Sequence, residues 1–590
     1  MVDILLMASD RKLLFFSVMI IILLTGGFFI KQLLYARKIL ALQEELVQET
    51  LKGMSTEQKI GQLIHVGMPG KAMSPAILKE LQEHYAGGVI LFAANMQDKA
   101  QLSSLTKSLQ EAALDATGIP LLISTDQEGG RVKRVGQWGV EQFPSAMAMG
   151  QADEVMLTEA VGFFTGLRLR ELGIQVVLAP TLDINNNPEN PVINTRSFGS
   201  DRAMVVRHGV ALDRGLRKSG SLGSIKHFPG HGDTDTDSHL ALPIIEKSLA
   251  ELKEFELIPF EEAILQGAEL VMSAHILFPA LDKERPATLS PAVINGLLRT
   301  DLGFQGLVIT DAMEMDAIDQ NYSTERAAVM ALQAGADILL LTSRGEVSDR
   351  MFNGVKDAID SGELSMEQVD QSVLRQLRIK LNRGLFHEMK APASLKDKYT
   401  DLQDIEQLRQ EQLQAEIARY AKMFPEGEPQ INKIVSELSI KSLQKPFPGL
   451  NDSEQKSIIL VTKPGSWKEF CPSKIKCVEN WSMALTEAQS LKQATILLPL
   501  SKSRLKDWSS KVKTVKDLPV SLIGLYDDNP FLEISIPENG AVLASFSSTK
   551  ASRAALVEKV VSGAGADVAN LVSATAENAF QQDSINEFAP

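Results

Sequence analysis

From about residue 55 to 385 the hydrophobic positions repeat one order: a short apolar run, then a longer stretch with apolar residues at helical spacing. The runs are GQLIHVG (61–67), GGVILFA (87–93), PLLISTD (120–126), IQVVLAPTLD (174–183), GSIKHFP (223–229), LVMSAHI (270–276), GLVITDA (306–312) and ADILLLT (336–342). Most are rich in Val, Ile and Leu and show no polar alternation. Parallel strands covered on both faces have that pattern. Helical spacing fills the intervals, as at 102–116, 157–172, 248–266 and 324–334. Eight such units predict an α/β fold of the (β/α)8, TIM-barrel type over 55–389. A doubly wound open sheet is the alternative, but it usually has fewer strands.

The pattern changes outside that stretch. Residues 390–455 are polar with one strong helical segment at 401–423, and read as a connector. Over 456–590 a smaller alternation appears, with apolar runs at 457–463, 494–500, 519–526 and 541–546 and a helical pattern near 552–562. This predicts a compact carboxyl-terminal α/β sandwich, followed by a polar tail after 573. At the other end, 13–30 (LLFFSVMIIILLTGGFFI) carries no charge and is long enough to predict a transmembrane helix. Residues 1–12 would then be a short cytoplasmic segment and 31–54 a linker. Arg11 and Lys12 precede the run, and Lys31, Arg37 and Lys38 follow it. Basic residues on both sides blunt the positive-inside rule. A cleaved signal peptide is the rival reading, although no A-x-A site follows.

Composition narrows the function classes. Of 590 residues, 44% are hydrophobic and 23% charged, which excludes wholesale disorder, a collagen-like repeat and a polytopic membrane protein. Sixty Lys and Arg against 74 Asp and Glu leave a formal charge of −14 with no basic cluster. Nucleic acid is therefore not an expected partner, because its phosphates need neutralising cations. Two cysteines exclude a disulfide framework and a cysteine-rich zinc module. Cys471 and Cys477 can pair in an oxidising compartment or remain thiols.

Polar residues gather at the carboxyl ends of the apolar runs: Asp126, Asp183, Lys226, His227, His275 and Asp311. In a barrel these ends share one mouth, where active sites are built. Acidic and small polar residues also begin loops, which explains any one of them. It explains less well why Lys226 and His227 interrupt an apolar strand. The densest chemistry is KHFPGHGDTDTDSH (226–239), with three histidines and three aspartates. Pro229, Gly230 and Gly232 forbid a helix there, so a strand end must run into a long loop. Zinc needs His227 and His231 on one helical face, which that break removes. Asp233, Asp235 and Asp237 match the odd positions of a calcium loop, but Ser238 and Ile244 replace its glycine and glutamate. Asp237 and His239 can form an acid–base dyad in which the carboxylate holds the imidazole tautomer. A loop knitted by its own Asx turns is equally compatible with the residues alone.

The same segment resembles the signature of the β-N-acetylglucosaminidases of glycoside hydrolase family 3. Ordered blocks agree with it: KIGQLI (59–64), GGVILFAAN (87–95), DQEGGRV (126–132), APTLDINNNPENPVINTRSFG (179–199), SAHILFPALD (273–282), PATLS (286–290), GLVITDAMEMDAI (306–318) and AGADILLL (334–341). The resemblance covers about residues 50–385. It implies a retaining exo-β-N-acetylhexosaminidase in which Asp311 is the nucleophile and His239, oriented by Asp237, the acid/base. It places Asp126, Arg196, Lys226 and His227 around the terminal sugar, with an ion pair to Asp183 as the structural alternative for Arg196. Asp183 is left as a supporting residue, and His231 as one that orders the loop. Glu128, His208 and His275 are weaker candidates, and a satisfied buried polar group is the better reading of His275. His65, His84 and His387 attract no hypothesis.

The implied partner is a β-N-acetylglucosaminide saccharide, most plausibly a muropeptide fragment of peptidoglycan, met by a monomer on the outer face of a bacterial membrane. No metal or organic cofactor is expected, since protein groups carry both the proton and the covalent step. The alternatives are a β-glucosidase of the wider family and a non-catalytic saccharide-binding protein. The Asp-Ser-His sequence at 237–239 argues against the first, and the presence of all three catalytic candidates against the second.

Overall fold

The computed structural model describes residues 41–187, 190–238, 241–385 and 399–439, and beyond these the backbone of six strands of a second sheet. The first sheet has eight strands: β1 (Ile64–Gly67), β2 (Gly88–Ile90), β3 (Leu122–Thr125), β4 (Val176–Val177), β5 (Leu222–Phe228), β6 (Leu270–Ser273), β7 (Leu307–Thr310) and β8 (Leu339–Leu340). Each falls within or at the edge of one of the eight apolar runs. Every neighbouring pair is parallel, and β8 returns to pair with β1. A bridge between Ile309 and Ile338 joins β7 to β8, so the sheet closes into a barrel.

Side chains alternate across each strand, so every second residue points into the barrel. Leu122, Val176, Leu222, Leu270, Leu307 and Leu340 fill the interior, while a larger cluster lies between strands and helices. Along β5, Leu222, Ser224 and Lys226 share the inward face. The lysine therefore rises from the apolar plug to the mouth.

Local chemistry sets the helix boundaries. Lys99–Thr117 begins earlier than its apolar spacing because the Asp98 side chain accepts from Gln101 N–H, and it ends at Gly118 with φ 71°. Only a glycine takes that left-handed turn at no steric cost. Leu102, Leu105, Leu109 and Ala113 then face the barrel. The helix expected over 248–266 is two helices, Leu249–Glu254 and Ile258–Leu265. Pro259 sits in the first turn of the second, where its missing N–H is harmless, and could not have continued the first.

The linker expected over 31–54 contains a helix at 41–52, whose Leu46, Val47 and Leu51 are buried in the barrel's outer core. The connector likewise packs on the barrel. Its helices are Tyr399–Met423 and Glu428–Leu438. Tyr420 is fully buried, stacks on Phe163 with ring centres 4.3 Å apart, and donates to Glu159 Oε1 at 2.9 Å. The second sheet contains β9 (Lys441–Ser442), β10 (Ile458–Val461), β11 (Lys476–Val478), β12 (Ala494–Leu500), β13 (Val520–Tyr526) and β14 (Gly540–Ala544). Its order is β9-β14-β13-β12-β10-β11, parallel except for β9. Four of these strands were legible as apolar runs. The helical pattern near 552–562, the tail and Cys471 lie outside the described residues.

One expectation is corrected. The transmembrane helix over 13–30, with the membrane partner and the single-pass placement that depended on it, is not found. Among the described residues no helix is long and apolar enough to cross a membrane. The longest, Tyr399–Met423, has the length at 25 residues, but charged side chains recur along it. Residues 13–30 themselves lie outside the described residues.

Candidate active site

The carboxyl ends of the strands surround a cavity of about 510 Å³. That is the size of a site for a small organic ligand. Asp126, Arg196, Lys226, His227 and Asp311 all line it, together with His231 and Ser238 of the loop after β5. Five of the seven residues expected to catalyse or bind are thus in one place. Asp237 precedes Ser238, is half-buried, and is not among the lining residues. His239 lies outside the described residues.

Lys226 is the charged centre. Its side chain is 2% exposed, and Nζ donates to Asp126 Oδ1 at 2.9 Å and pairs with Glu128 Oε1 at 2.8 Å. Glu128 also receives a two-pronged bond from Arg196, Nε to Oε2 at 2.9 Å and Nη2 to Oε1 at 2.8 Å. Burial pushes the Glu128 carboxyl up, but Arg196 and Lys226 reverse this and hold it well below the usual carboxylate range. Burial likewise opposes the charge on Lys226, and Asp126 and Glu128 raise its pKa in spite of it. Arg196 therefore pairs with Glu128 rather than with Asp183. Glu128, a weaker candidate in the sequence, is the residue that joins the two cations.

Asp183 serves the histidines instead. Its Oδ2 accepts from His227 Nδ1 at 2.7 Å, and its Oδ1 from the backbone N–H groups of His227 (3.2 Å) and His231 (2.7 Å). The first bond fixes the His227 tautomer and leaves Nε2 facing Arg196 Nη2 at 3.4 Å. His231 is 2% exposed, with Nδ1 3.0 Å from Thr234 Oγ1 and Nε2 3.0 Å from Ser238 Oγ. Burial pushes its pKa down to about 4, so the ring is neutral at pH 7. The two imidazoles thus turn to different partners rather than converge on a shared point.

Asp311 follows β7 and is held by its own surroundings. Burial pushes its carboxyl up, while His227, His275 and the N–H of Ala312 draw it below the usual range. That N–H donates to Asp311 Oδ1 at 2.8 Å. His275 is buried, with Nδ1 2.9 Å from Thr288 Oγ1 and Nε2 3.0 Å from the Ala312 carbonyl. It braces the residue next to Asp311 from below. The group is an ionised carboxylate fixed in position, facing a cavity whose other wall supplies cationic donors. Such a group can attack an electrophilic carbon or stabilise positive charge there. His208 bonds Thr158 and Asp153 and does not line the cavity.

Several lining residues, Arg134 among them, had no clear signal in the sequence. Arg134 lies 3.6 Å from Asp126 Oδ2, and its guanidinium carbon sits 5.7 Å from the centre of the Phe92 ring. The GGRVK sequence hides a hairpin, Gln127–Gly129 with Val132–Lys133, that swings the following arginine back over the mouth. Gly129 takes φ 91°, and a Cβ there would lie 2.5 Å from the Pro144 carbonyl. Consecutive glycines were the available hint.

Residues 55–379 match the family description "Glycosyl hydrolase family 3 N terminal domain". The chain is 37% identical to the β-hexosaminidase A of Pseudoalteromonas piscicida over 330 residues, 52% of this chain and 55% of that protein. It therefore spans about half the length of that relative. It is 34% identical to the β-hexosaminidase LpqI of Mycobacterium tuberculosis over 333 residues, 55% of this chain and 83% of that one. The structure superposes on a family 3 β-N-acetylglucosaminidase of Paenibacillus with a TM-score of 0.71 and 31% identity, covering 86% of this chain and 97% of the other. That likeness extends beyond the barrel.

Proposed function

The chain belongs to glycosyl hydrolase family 3, and on that footing we propose that it is a retaining exo-β-N-acetylhexosaminidase. The observation that carries the reading is the cavity itself. An ionised Asp311 lines it together with Asp126, Lys226 and Arg196; Lys226 holds Asp126, and Glu128 joins Lys226 to Arg196. Paired cations and a carboxylate suit the hydroxyl and amide groups of one terminal sugar. Asp311 would then attack the anomeric carbon as the leaving oxygen takes a proton, forming a glycosyl-enzyme that water resolves.

For the proton we propose His239, oriented by Asp237, on the loop that Ser238 brings to the cavity. An imidazolium is attracted to the anionic nucleophile, whereas a neutral carboxyl group beside it would have to be kept protonated. The leaving part we propose is a muropeptide fragment.

Hydrolysis of a chromogenic N-acetyl-β-glucosaminide, compared with the corresponding glucoside, tests the class. Release from the first and little from the second is expected. Faster cleavage of the glucoside would make the protein a β-glucosidase, and no release from either a binding protein. Asp311→Ala should lower kcat by about three orders of magnitude or more. His239→Ala should hurt substrates with poor leaving groups most, since an activated aryl group departs with little protonation.

A further inference from the structure

The helix Glu428–Leu438 lies beyond the residues that match the family, yet it reaches the loop that carries Arg134. Ile431 and Val435 are fully buried in the barrel's outer core, and Glu428 pairs with Arg168 at 2.7 Å, so the helix is fixed to the barrel. Between these anchors Asn432, 5% exposed, turns toward the loop after the hairpin. Its Nδ2 donates to Glu141 Oε1 at 2.6 Å and to the Gln142 carbonyl at 3.2 Å.

From Gln142 the bonds lead to the cavity. Gln142 Nε2 donates to the carbonyls of Val135 (3.1 Å) and Val140 (2.9 Å). The backbone N–H groups of Arg134 and Val135 both donate to Gln127 Oε1, at 2.9 and 3.1 Å. Arg134 is thus held from below by the hairpin and from behind by Gln142, which Asn432 holds in turn. Its side chain is held at the mouth by the Phe92 ring, 5.7 Å from the guanidinium carbon, and by a long ion pair to Asp126. Among the described residues the nearest carboxylate oxygen is 3.6 Å away, and the buried Nε has no hydrogen-bond partner. A shift of the backbone at 134 and 135 would carry the guanidinium away from Phe92 and Asp126.

We infer that Asn432 is a positioning residue for the sugar pocket: from a helix outside the matched barrel it pins the 134–143 loop and so holds the Arg134 guanidinium at the cavity. The inference rests on the reading that this cavity binds the sugar. A positioning residue that acts through one binding group raises KM and spares kcat, and its loss adds nothing once that group is gone.

The test is a double-mutant cycle on the full chain with p-nitrophenyl N-acetyl-β-glucosaminide. Asn432→Ala should raise KM about three- to ten-fold with kcat within about two-fold, as expected for the loss of a buried hydrogen bond acting on ground-state binding. Arg134→Ala should raise KM further, and the double variant should match Arg134→Ala alone. Multiplying effects in the double variant, or an Asn432→Ala loss confined to kcat, would overturn the inference. Should Asn432→Ala fold poorly, Gln142→Ala carries the same test from within the loop. If Arg134→Ala leaves KM unchanged, the inference fails; the pocket reading itself fails only if Asp126→Ala also leaves KM unchanged. If Arg134→Ala raises KM and both amide variants do not, the inference alone fails.

Discussion

The two ends of the barrel each bury a lysine, and they do so in opposite ways. At the mouth, Lys226 is enclosed by Asp126 and Glu128, and Glu128 is shared with Arg196. Every member has a counter-charge, and the carboxylate and both cations stay ionised. At the foot, Lys380 is fully buried, but among the described residues its Nζ meets only neutral oxygens, Gln62 Oε1 at 2.6 Å and the Gly87 carbonyl at 3.2 Å. Burial pushes its pKa down to about 7. His65 nearby, with neither ring nitrogen hydrogen-bonded among the described residues, is pushed down to about 3, by burial first and then by Lys380. Burial alone thus does not decide whether a side chain keeps its charge; the neighbours supplied on the adjoining strands do. The mouth lysine keeps its charge where a substrate can use it, and the foot lysine is eased toward the neutral form.

The comparison breaks most visibly at Lys226. Lys226→Met leaves Asp126 and Glu128 with one cation fewer in a buried site. It should cost about 3–5 kcal/mol in chemical denaturation, along with most of the activity. A loss below about 1 kcal/mol would mean that the mouth is no more sensitive to charge than the surface. Lys380→Met should act the other way. Between about pH 7 and the ordinary lysine value of 10.5 the unfolded chain holds a proton that the folded one has released, so stability rises with pH there. Methionine removes that penalty but strands two acceptors. A net gain of roughly 1–2 kcal/mol at pH 6 is expected, shrinking toward pH 10. A variant less stable than the parent at pH 6 would show that the foot depends on its lysine. The smallest effect sharpens the comparison at Glu128. The folded protein keeps this carboxylate ionised below the ordinary glutamate value of 4.5, so acid favours the unfolded chain there. Stability should fall as pH drops below about 4.5. Glu128→Gln should flatten that slope by at most about 1.4 kcal/mol per pH unit, the linkage of one proton.

The barrel was legible because its strands are buried on both faces and so read as unbroken apolar runs. The position of Lys226 was legible for the same reason: a lysine two steps from a serine in such a run must face either the plug or the mouth. Partner choice was not. Arg196 pairs with Glu128 across 68 positions, and Asp183 with His227 across 44. Spacing along a chain carries no trace of which strand ends face each other. Arg134 was missed because its direction depends on a hairpin only a few residues long. The short strands β9 and β11 were missed because two or three residues give no period to read.

The helices after the barrel bear on how a gene for this protein is cut. The family-domain match ends at 379, which invites a recombinant boundary just downstream. A fragment ending there would lack Tyr420, Phe424, Ile431 and Val435, and would leave the aromatic rings of Phe163 and Phe164 open to water. Soluble expression of the catalytic half therefore calls for a stop codon no earlier than about residue 439.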